Sequence, residues 1–171
     1  MFIEDNEALN RNQLEKLYQK LNKEEINFYL SFRAVELGDK GFHFCCESLN
    51  RKGKKNKHYS YFKSLLISIL KKHNLKLKKI HRMAVNVTFN NGYVKEVPLH
   101  KDHDFPHKQL LLYLNDSTGD TIIPYYNKTI TPKENKAIIF DGIEHKHIFP
   151  ETGIRIVCVF TFSISNNINC V

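Results

Sequence analysis

The chain has 171 residues, of which 42% are hydrophobic and 12% aromatic, with only seven Gly and five Pro. This length is enough for one domain with its own core, and the composition excludes a disordered or fibrous protein. No apolar run approaches the roughly 18 residues of a membrane span, and the first residues lack the basic start of a secretory signal. We therefore expect a soluble, cytoplasmic protein with no membrane partner.

The net charge of +8 is unevenly distributed along the chain. Residues 51–82, the basic segment, carry twelve Lys or Arg and no Asp or Glu, and the rest of the chain is mildly acidic. Such a segment can attract nucleic acid or an acidic protein, because bound counterions are released. Most charge runs are instead solvated faces of helices and loops. The sequence leaves both interpretations open.

The four cysteines, Cys45, Cys46, Cys158 and Cys170, have no zinc-binding spacing and no pattern of a disulfide framework. They are therefore expected to be reduced thiols in or near the core.

The first half of the chain predicts two helices and a strand. A capping box at 12–15 and apolar residues at helical spacing predict a helix over about 8–22 on the outside of a sheet. Residues 26–35 read as a strand that ends in a turn at 38–41. After a basic loop at 51–57, a second amphipathic helix is predicted over about 58–73.

The second half changes to a period of two and predicts a succession of short strands. We place them near 82–90, 93–100, 108–115, 120–126, 128–131, 136–141, 145–149 and 154–163, with a hairpin turn at 90–92 and a polar tail after 163. Helices followed by strands in this rhythm predict a mainly β fold with flanking helices, built on a jelly roll.

A cluster of histidines lies within this β region: His100, His103, His107, His145 and His147. In an extended strand, His100 and Asp102 point to the same side, since they are two residues apart. A later histidine would complete a set of two imidazoles and one carboxylate, which is typical of Fe(II) sites with open coordination positions.

Several motifs occur in a fixed order around this cluster. They are His100-Lys101-Asp102, then 111–115 (LLYLN), 119–121 (GDT), 138–141 (IIFD), His145 and, ten residues later, Arg155. This order resembles the Fe(II)- and 2-oxoglutarate-dependent dioxygenases, especially the prolyl-hydroxylase-like branch that phages and large viruses also carry. The resemblance covers about residues 82–163.

The resemblance implies a double-stranded β-helix core and a hydroxylase that decarboxylates 2-oxoglutarate to succinate with O₂. Its Fe(II) ligands would be His100, Asp102 and His145. Arg155 would bind the distal carboxylate of 2-oxoglutarate, which suits a bidentate guanidinium, and Tyr113 would bond the same carboxylate. Ascorbate is an additional reductant in this reading, and a viral source would place the protein in the host cytoplasm.

The predicted domain is single: residues 1–81 give helical support and the basic segment, and residues 82–163 give the catalytic β core. The expected substrate is a protein or peptide side chain, proline among them, with nucleic acid as the alternative through the basic segment. The oligomeric state is not indicated by the sequence. A cupin-like binding module and a basic RNA- or DNA-binding protein are the rival classes.

Some site residues stay open at the sequence level. His147 shares strand parity with His145 and competes with it as second histidine ligand, although the ten-residue gap to Arg155 favours His145. Asn86 and Thr88 lie on the strand before the motif, where polar residues usually face solvent. The remaining loop residues are expected to face solvent or to line the substrate mouth: His103, His107, Asp104 and Glu144. The turn before Thr121 has one glycine where the family often has two.

Overall fold

The computed structural model describes residues 1–23, 26–32, 41–90 and 92–165. The elements in chain order are β1 (Phe2–Asp5), α1 (Arg11–Asn22), β2 (Tyr29–Ser31), β3 (His43–Leu49), α2 (Tyr59–Lys72), β4 (Leu77–Phe89), β5 (Lys108–Tyr113), β6 (Thr121–Ile123), a 3₁₀ turn (Pro124–Tyr126), β7 (Lys128–Ile130), β8 (Ala137–Asp141), β9 (Lys146–His147) and β10 (Ile154–Ile164). None of the described helices is long and apolar enough to span a membrane.

The strands form two antiparallel sheets. The large sheet has the order β1-β8-β5-β10-β4-β3-β2, and the small sheet has the order β7-β6-β9. The centre of the large sheet is β10, which pairs with β4 over most of its length and with β5 on its other side. The predicted mainly β fold with flanking helices is confirmed.

The large sheet is covered on both faces, which explains its nearly continuous apolar strands. On β5, Leu110 and Leu112 pack in the core beneath α1 and α2, whereas Leu111 and Tyr113 pack with Ile123 of the small sheet. The same alternation occurs along β10. The helices therefore cover one face, and the small sheet covers part of the other, leaving a cavity beside it.

Both predicted helices are present, but the cap of α1 differs from the prediction. The capping box is formed by Asn10 and Gln13, not by Asn12: the Asn10 side chain accepts from the Gln13 amide, and the Gln13 side chain accepts from the Asn10 amide. Each residue fulfils one half of the motif. The helix therefore begins at Arg11.

The strand predictions over 108–163 are largely confirmed, with shorter segments at β6 and β9. The strand predicted at 93–100 is wrong, because the described residues there make only isolated bridges, from Glu96 to Ile148 and from His100 to His145. Strand β4 instead pairs with β3 and β10. Strands β1 and β3 were not predicted, and β4 begins at Leu77 rather than 82.

Parts of the earlier predictions lie outside the described residues. They are the end of the strand predicted over 26–35, most of the turn at 38–41, the middle of the turn at 90–92, the polar tail beyond 165, and Cys170. The other three cysteines are buried free thiols, as expected.

Candidate active site

A cavity of about 500 Å³ opens on the face of the large sheet that also carries the small sheet. Its walls come from β2, β3, β4, β5 and β10, from Thr121 of β6, and from the segment around residues 100–102. Four of the five predicted site residues line the cavity directly. The fifth, Tyr113, lies behind Thr121 and Arg155.

His100, Asp102 and His145 form a compact group at one part of this cavity. Their ligand atoms all lie within 4.8 Å of one another. The two histidines are brought together by a pair of backbone hydrogen bonds, each 3.0 Å long, in which each amide donates to the other residue's carbonyl. Asp102 follows two residues later, and its Oδ2 lies 3.7 Å from His145 Nε2.

Both histidines have the tautomer that a metal ligand needs. Nδ1 of His100 donates to the Pro98 carbonyl over 2.9 Å, and Nδ1 of His145 donates to the Ile143 carbonyl over 3.0 Å. Because a carbonyl can only accept, each Nδ1 carries a proton, and in the neutral imidazole the lone pair then lies on Nε2. Two such Nε2 atoms and one carboxylate oxygen fit the donor set of a ferrous ion.

The charges of this group also suit metal binding. Burial raises the pKa of Asp102, but the positive charges of protonated His145, Arg82 and Arg51 outweigh it and lower the pKa to about 2. Burial lowers the pKa of His145 to about 4, although Asp102 opposes this shift. At neutral pH the carboxylate is therefore ionised and the imidazole is neutral, and neither must lose a proton to bind a cation.

Arg155 lies deep in the same cavity and has no anionic partner. It is 2% exposed, its Nη2 donates to Thr121 Oγ1 over 3.0 Å, and its Nε is buried without an acceptor. The Tyr113 hydroxyl donates to the same Thr121 oxygen over 2.8 Å. No carboxylate of the described residues forms an ion pair with this guanidinium. A buried cation in this state is suited to an incoming carboxylate.

The backbone at Gly119 passes close to the Arg155 side chain. A Cβ on Gly119 would lie 2.8 Å from Arg155 Cδ and 2.9 Å from the Ile148 carbonyl oxygen. The single glycine in the turn before Thr121 is therefore the one that the arginine requires.

Sequence reasoning missed four residues at the site, namely Arg51, Arg82, Glu47 and Gln109. Arg51 Nη2 donates to Asp102 Oδ1 over 2.8 Å, and Arg82 Nε donates to Glu47 Oε1 over 2.9 Å beside it. The Gln109 amide nitrogen lies 3.1 Å from His145 Nε2. Gln109 is the second residue of β5, and the residues after it are mostly apolar, which was a usable signal. Nothing local marks the arginines, because their partners lie 51 and 35 residues away in sequence.

Asn86 and Thr88 of β4 face inward, contrary to expectation. Asn86 lines the cavity, and its Oδ1 is buried without a hydrogen-bond partner. Thr88 is buried and its hydroxyl lies 3.4 Å from the Arg155 carbonyl. Both therefore belong to the same wall as Arg155.

The remaining histidines lie outside the group. His147 lines the cavity with its Nε2 buried and unpaired, and burial lowers its pKa well below the usual value. His103 contacts Thr161 at 2.8 Å, and His107 is buried, which corrects its expected solvent exposure. A Cβ on Gly142 would lie 2.2 Å from the His107 ring. Asp104 and Glu144 are exposed.

No protein-family model and no curated protein sequence matches this chain. Solved structures do match. An oxidoreductase of the 2OG-Fe(II) oxygenase family from Burkholderia pseudomallei is 12% identical, with a TM-score of 0.74 over 95% of this chain and 84% of the other. A prolyl hydroxylase from Trichoplax adhaerens, in complex with a peptide of the hypoxia inducible factor oxygen degradation domain, is 14% identical, with a TM-score of 0.65 over 95% and 83%.

A viral collagen prolyl hydroxylase from Paramecium Bursaria Chlorella virus-1, in complex with 2OG, is 13% identical, with a TM-score of 0.62 over 94% of each chain. At these identities the likeness establishes the fold. The chain has the double-stranded β-helix fold of 2-oxoglutarate oxygenases, and this prediction from the ordered motifs is confirmed.

Proposed function

We propose that the chain is an Fe(II)- and 2-oxoglutarate-dependent oxygenase that hydroxylates a protein or peptide side chain, with proline as the first candidate. The main supporting observation is that one cavity holds both the group of His100, Asp102 and His145 and a buried Arg155. No described carboxylate forms an ion pair with this arginine. A metal site alone would suit many classes of protein. The added guanidinium favours a dicarboxylate bound in the same cavity.

His100, Asp102 and His145 would hold Fe(II), and Arg155 would hold the distal carboxylate of 2-oxoglutarate. When bound, iron and 2-oxoglutarate would supply the oxidation: 2-oxoglutarate and O₂ would be converted to succinate and CO₂, with one oxygen atom of O₂ entering succinate and the other becoming the hydroxyl group on the substrate. The chain itself would bind the metal and 2-oxoglutarate, orient them, and enclose them away from water. Tyr113 and Thr121 fix the guanidinium through Thr121 Oγ1, and the burial of Arg155 excludes water from this end of the cavity.

His145 is a better second histidine ligand than His147 in this proposal. The ligand atom of His145 lies within the compact group, whereas His147 is not part of it. His147 instead lies on the side of the cavity toward Arg155, whose charge helps to lower its pKa. A cupin-like module without redox activity would not require Arg155.

The choice of substrate is supported by the fold neighbours, two of which are prolyl hydroxylases, one of them in complex with a peptide. A second candidate, nucleic acid, is favoured by one observation: the basic loop 51–57 reaches the cavity, because its Arg51 contacts Asp102. We further propose that residues 1–171 act as one domain in the cytoplasm, where the three described thiols would stay reduced and ascorbate could sustain the iron.

The experiment is conversion of 2-oxoglutarate to succinate by the purified protein with added Fe(II), without any other substrate. We expect slow uncoupled turnover that is lost in His100→Ala and Asp102→Ala. Absence of both iron binding and turnover would overturn the proposal, as would unchanged turnover in these variants.

The substrate class is tested separately, by turnover with proline-containing peptides and with oligonucleotides at increasing salt. Stimulation by peptide supports the first candidate. Stimulation by oligonucleotide that falls steeply with salt, and that is lost when Lys52, Lys54, Lys55 and Lys57 are neutralised, would replace it with the second.

A further inference from the structure

The loop that follows β3 presents an arginine to the metal group, although it belongs to the basic segment and its lysines are exposed. Asn50 organises this loop: its Oδ1 accepts from the amides of Lys52 and Lys54, and its own amide donates to the Lys54 carbonyl. The turn is completed at Gly53, whose φ of +82° suits a residue without a side chain. The loop thus has a defined conformation, and Arg51 lies at its start.

Arg51 contacts only one of the two carboxylate oxygens of Asp102. Its Nη2 lies 2.8 Å from Oδ1, whereas Oδ2 lies 3.7 Å from His145 Nε2. The Asp102 side chain is only 7% exposed, and the Arg51 side chain is 54% exposed. The guanidinium therefore approaches the carboxylate from the solvent side and leaves Oδ2 directed to the histidines.

The other nearby arginine does not perform this task. Arg82 is buried, and its Nε is bonded to Glu47 Oε1 at 2.9 Å. Its charge acts on Asp102 through space. Among the described residues, Arg51 is the one Lys or Arg side chain that forms an ion pair with Asp102.

We propose that Arg51 is a positioning residue for the metal ligand Asp102, an inference that rests on the proposed function. By holding Oδ1, it stops rotation of the carboxylate and presents Oδ2 alone, so that Asp102 binds the metal through one oxygen. Groups that hydrogen-bond to metal ligands typically change metal affinity by about 10- to 100-fold. This gives one residue of the basic segment a role other than attraction of a polyanion.

The test is Co(II) binding by the full chain, followed by calorimetry and by the visible absorption of the bound ion. We expect Arg51→Gln to weaken Co(II) affinity about tenfold and to change the absorption, and Arg51→Lys to recover part of the loss. The matched control is Lys52→Gln, which removes a charge from the same loop and should leave affinity within about twofold of wild type.

A second variant keeps the inference testable if Arg51→Gln does not fold. Asn50→Ala keeps the guanidinium but removes the acceptor that organises the loop, and it should weaken Co(II) binding relative to wild type, by less than about tenfold. Equal affinity in wild type and in the Arg51 or Asn50 variants would overturn the inference. Tighter binding by Arg51→Gln would overturn it as well, because Arg51 would then compete with the metal for Asp102.

Failure of the proposed function gives a different result. In that case the wild-type chain shows no Co(II) binding that Asp102→Ala abolishes, and the role of Arg51 is rejected together with it. Co(II) binding that depends on Asp102 but not on Arg51 rejects only the role of Arg51.

Discussion

Arg155 is buried with a free Nε, and the nearest hydroxyl partner, Thr121 Oγ1, is shared with Tyr113. A buried charge without an opposite charge is costly to the folded state, and a bound carboxylate would remove that cost. The ring of Tyr113 lies 5.5 Å from the guanidinium carbon and partly compensates the buried charge.

The first prediction concerns the paired N–H donors of the Arg155 guanidinium. Arg155→Lys keeps the charge but loses the paired donors, so the affinity for 2-oxoglutarate should fall by roughly 10- to 100-fold, as expected for one charge-assisted hydrogen bond. The measurement is calorimetric binding of 2-oxoglutarate to the metal-loaded protein. Arg11→Lys, at an exposed helix position, is the control. Undiminished affinity in Arg155→Lys would contradict the assigned role.

The second prediction concerns the pH dependence of stability in the metal-free protein. Burial lowers the pKa of His145 to about 4, whereas an unfolded histidine titrates near 6.5. The unfolded state therefore binds more protons between these values, and the free energy of unfolding falls as the pH drops from 7 to 4. The share of His145 is about 3 kcal/mol.

Urea unfolding at several pH values checks this share. Between pH 7 and pH 4, His145→Gln should lose less free energy of unfolding than wild type does. The difference should be about 3 kcal/mol. The variant keeps a residual loss, because burial also lowers the pKa of His103 and His147. Parallel curves for wild type and variant would contradict the prediction.

Among the elements, α1 has two neighbouring asparagines that could each serve as its N-cap. Gln13 serves the capping box with its Oε1 and reaches Ser68 of α2 with its Nε2 over 2.8 Å, so the start of α1 is also joined to the neighbouring helix. Asn10 and Asn12 are both good capping residues. The three-residue spacing to a Gln or Glu does not distinguish them, because Asn10 precedes Gln13 and Asn12 precedes Glu15. In the structure Asn10 is the cap, and Glu15 accepts from Arg11 Nε instead.

The third prediction compares these two asparagines. Asn10→Ala should lower the free energy of unfolding by about 1 kcal/mol, because it leaves the Gln13 amide without its side-chain acceptor. Asn12→Ala should change it by less than about 0.5 kcal/mol, since Asn12 lies within the exposed part of the helix. Urea unfolding of the two variants gives the comparison. A larger effect at Asn12 would indicate that Asn12 is the capping residue, as predicted from sequence.

The same elements show what could be predicted from sequence. The strands that form the centre of the large sheet, β5, β8 and β10, were predictable because they are apolar on both faces and bounded by turn residues. The grouping of His100, Asp102 and His145 followed from the order of the motifs. These signals are local or are carried by a fixed order along the chain.

What could not be predicted depends on contacts between distant segments. Arg51 lies in a run of positive charge that reads as a solvated loop, and only the fold brings it to Asp102. The segment at 93–100 alternates like a strand, yet its backbone makes bridges to the 145–148 region rather than a hairpin with β4. Local periodicity does not specify the partner of an extended segment.

For the whole molecule, the charge of the basic segment is divided among different environments. Lys72 of α2 pairs with Asp5, and Lys55 lies over the ring of Tyr59, so part of the segment serves the surface of the fold. Arg51 serves the metal group. Part of the positive charge of the basic segment is thus engaged within the fold.

The last prediction concerns the stability of the whole chain with metal. Ligands that bind only the folded state stabilise it by mass action, by about 2.7 kcal/mol at 100 times the dissociation constant. For a chain of this size that corresponds to a rise in Tm of about 5–10 °C. Thermal unfolding with and without Co(II) should show this rise in wild type and in His81→Gln, a histidine outside the group, but not in Asp102→Ala. A rise that persists in Asp102→Ala would show that the ion binds elsewhere, because the carboxylate is the one anionic ligand in the group.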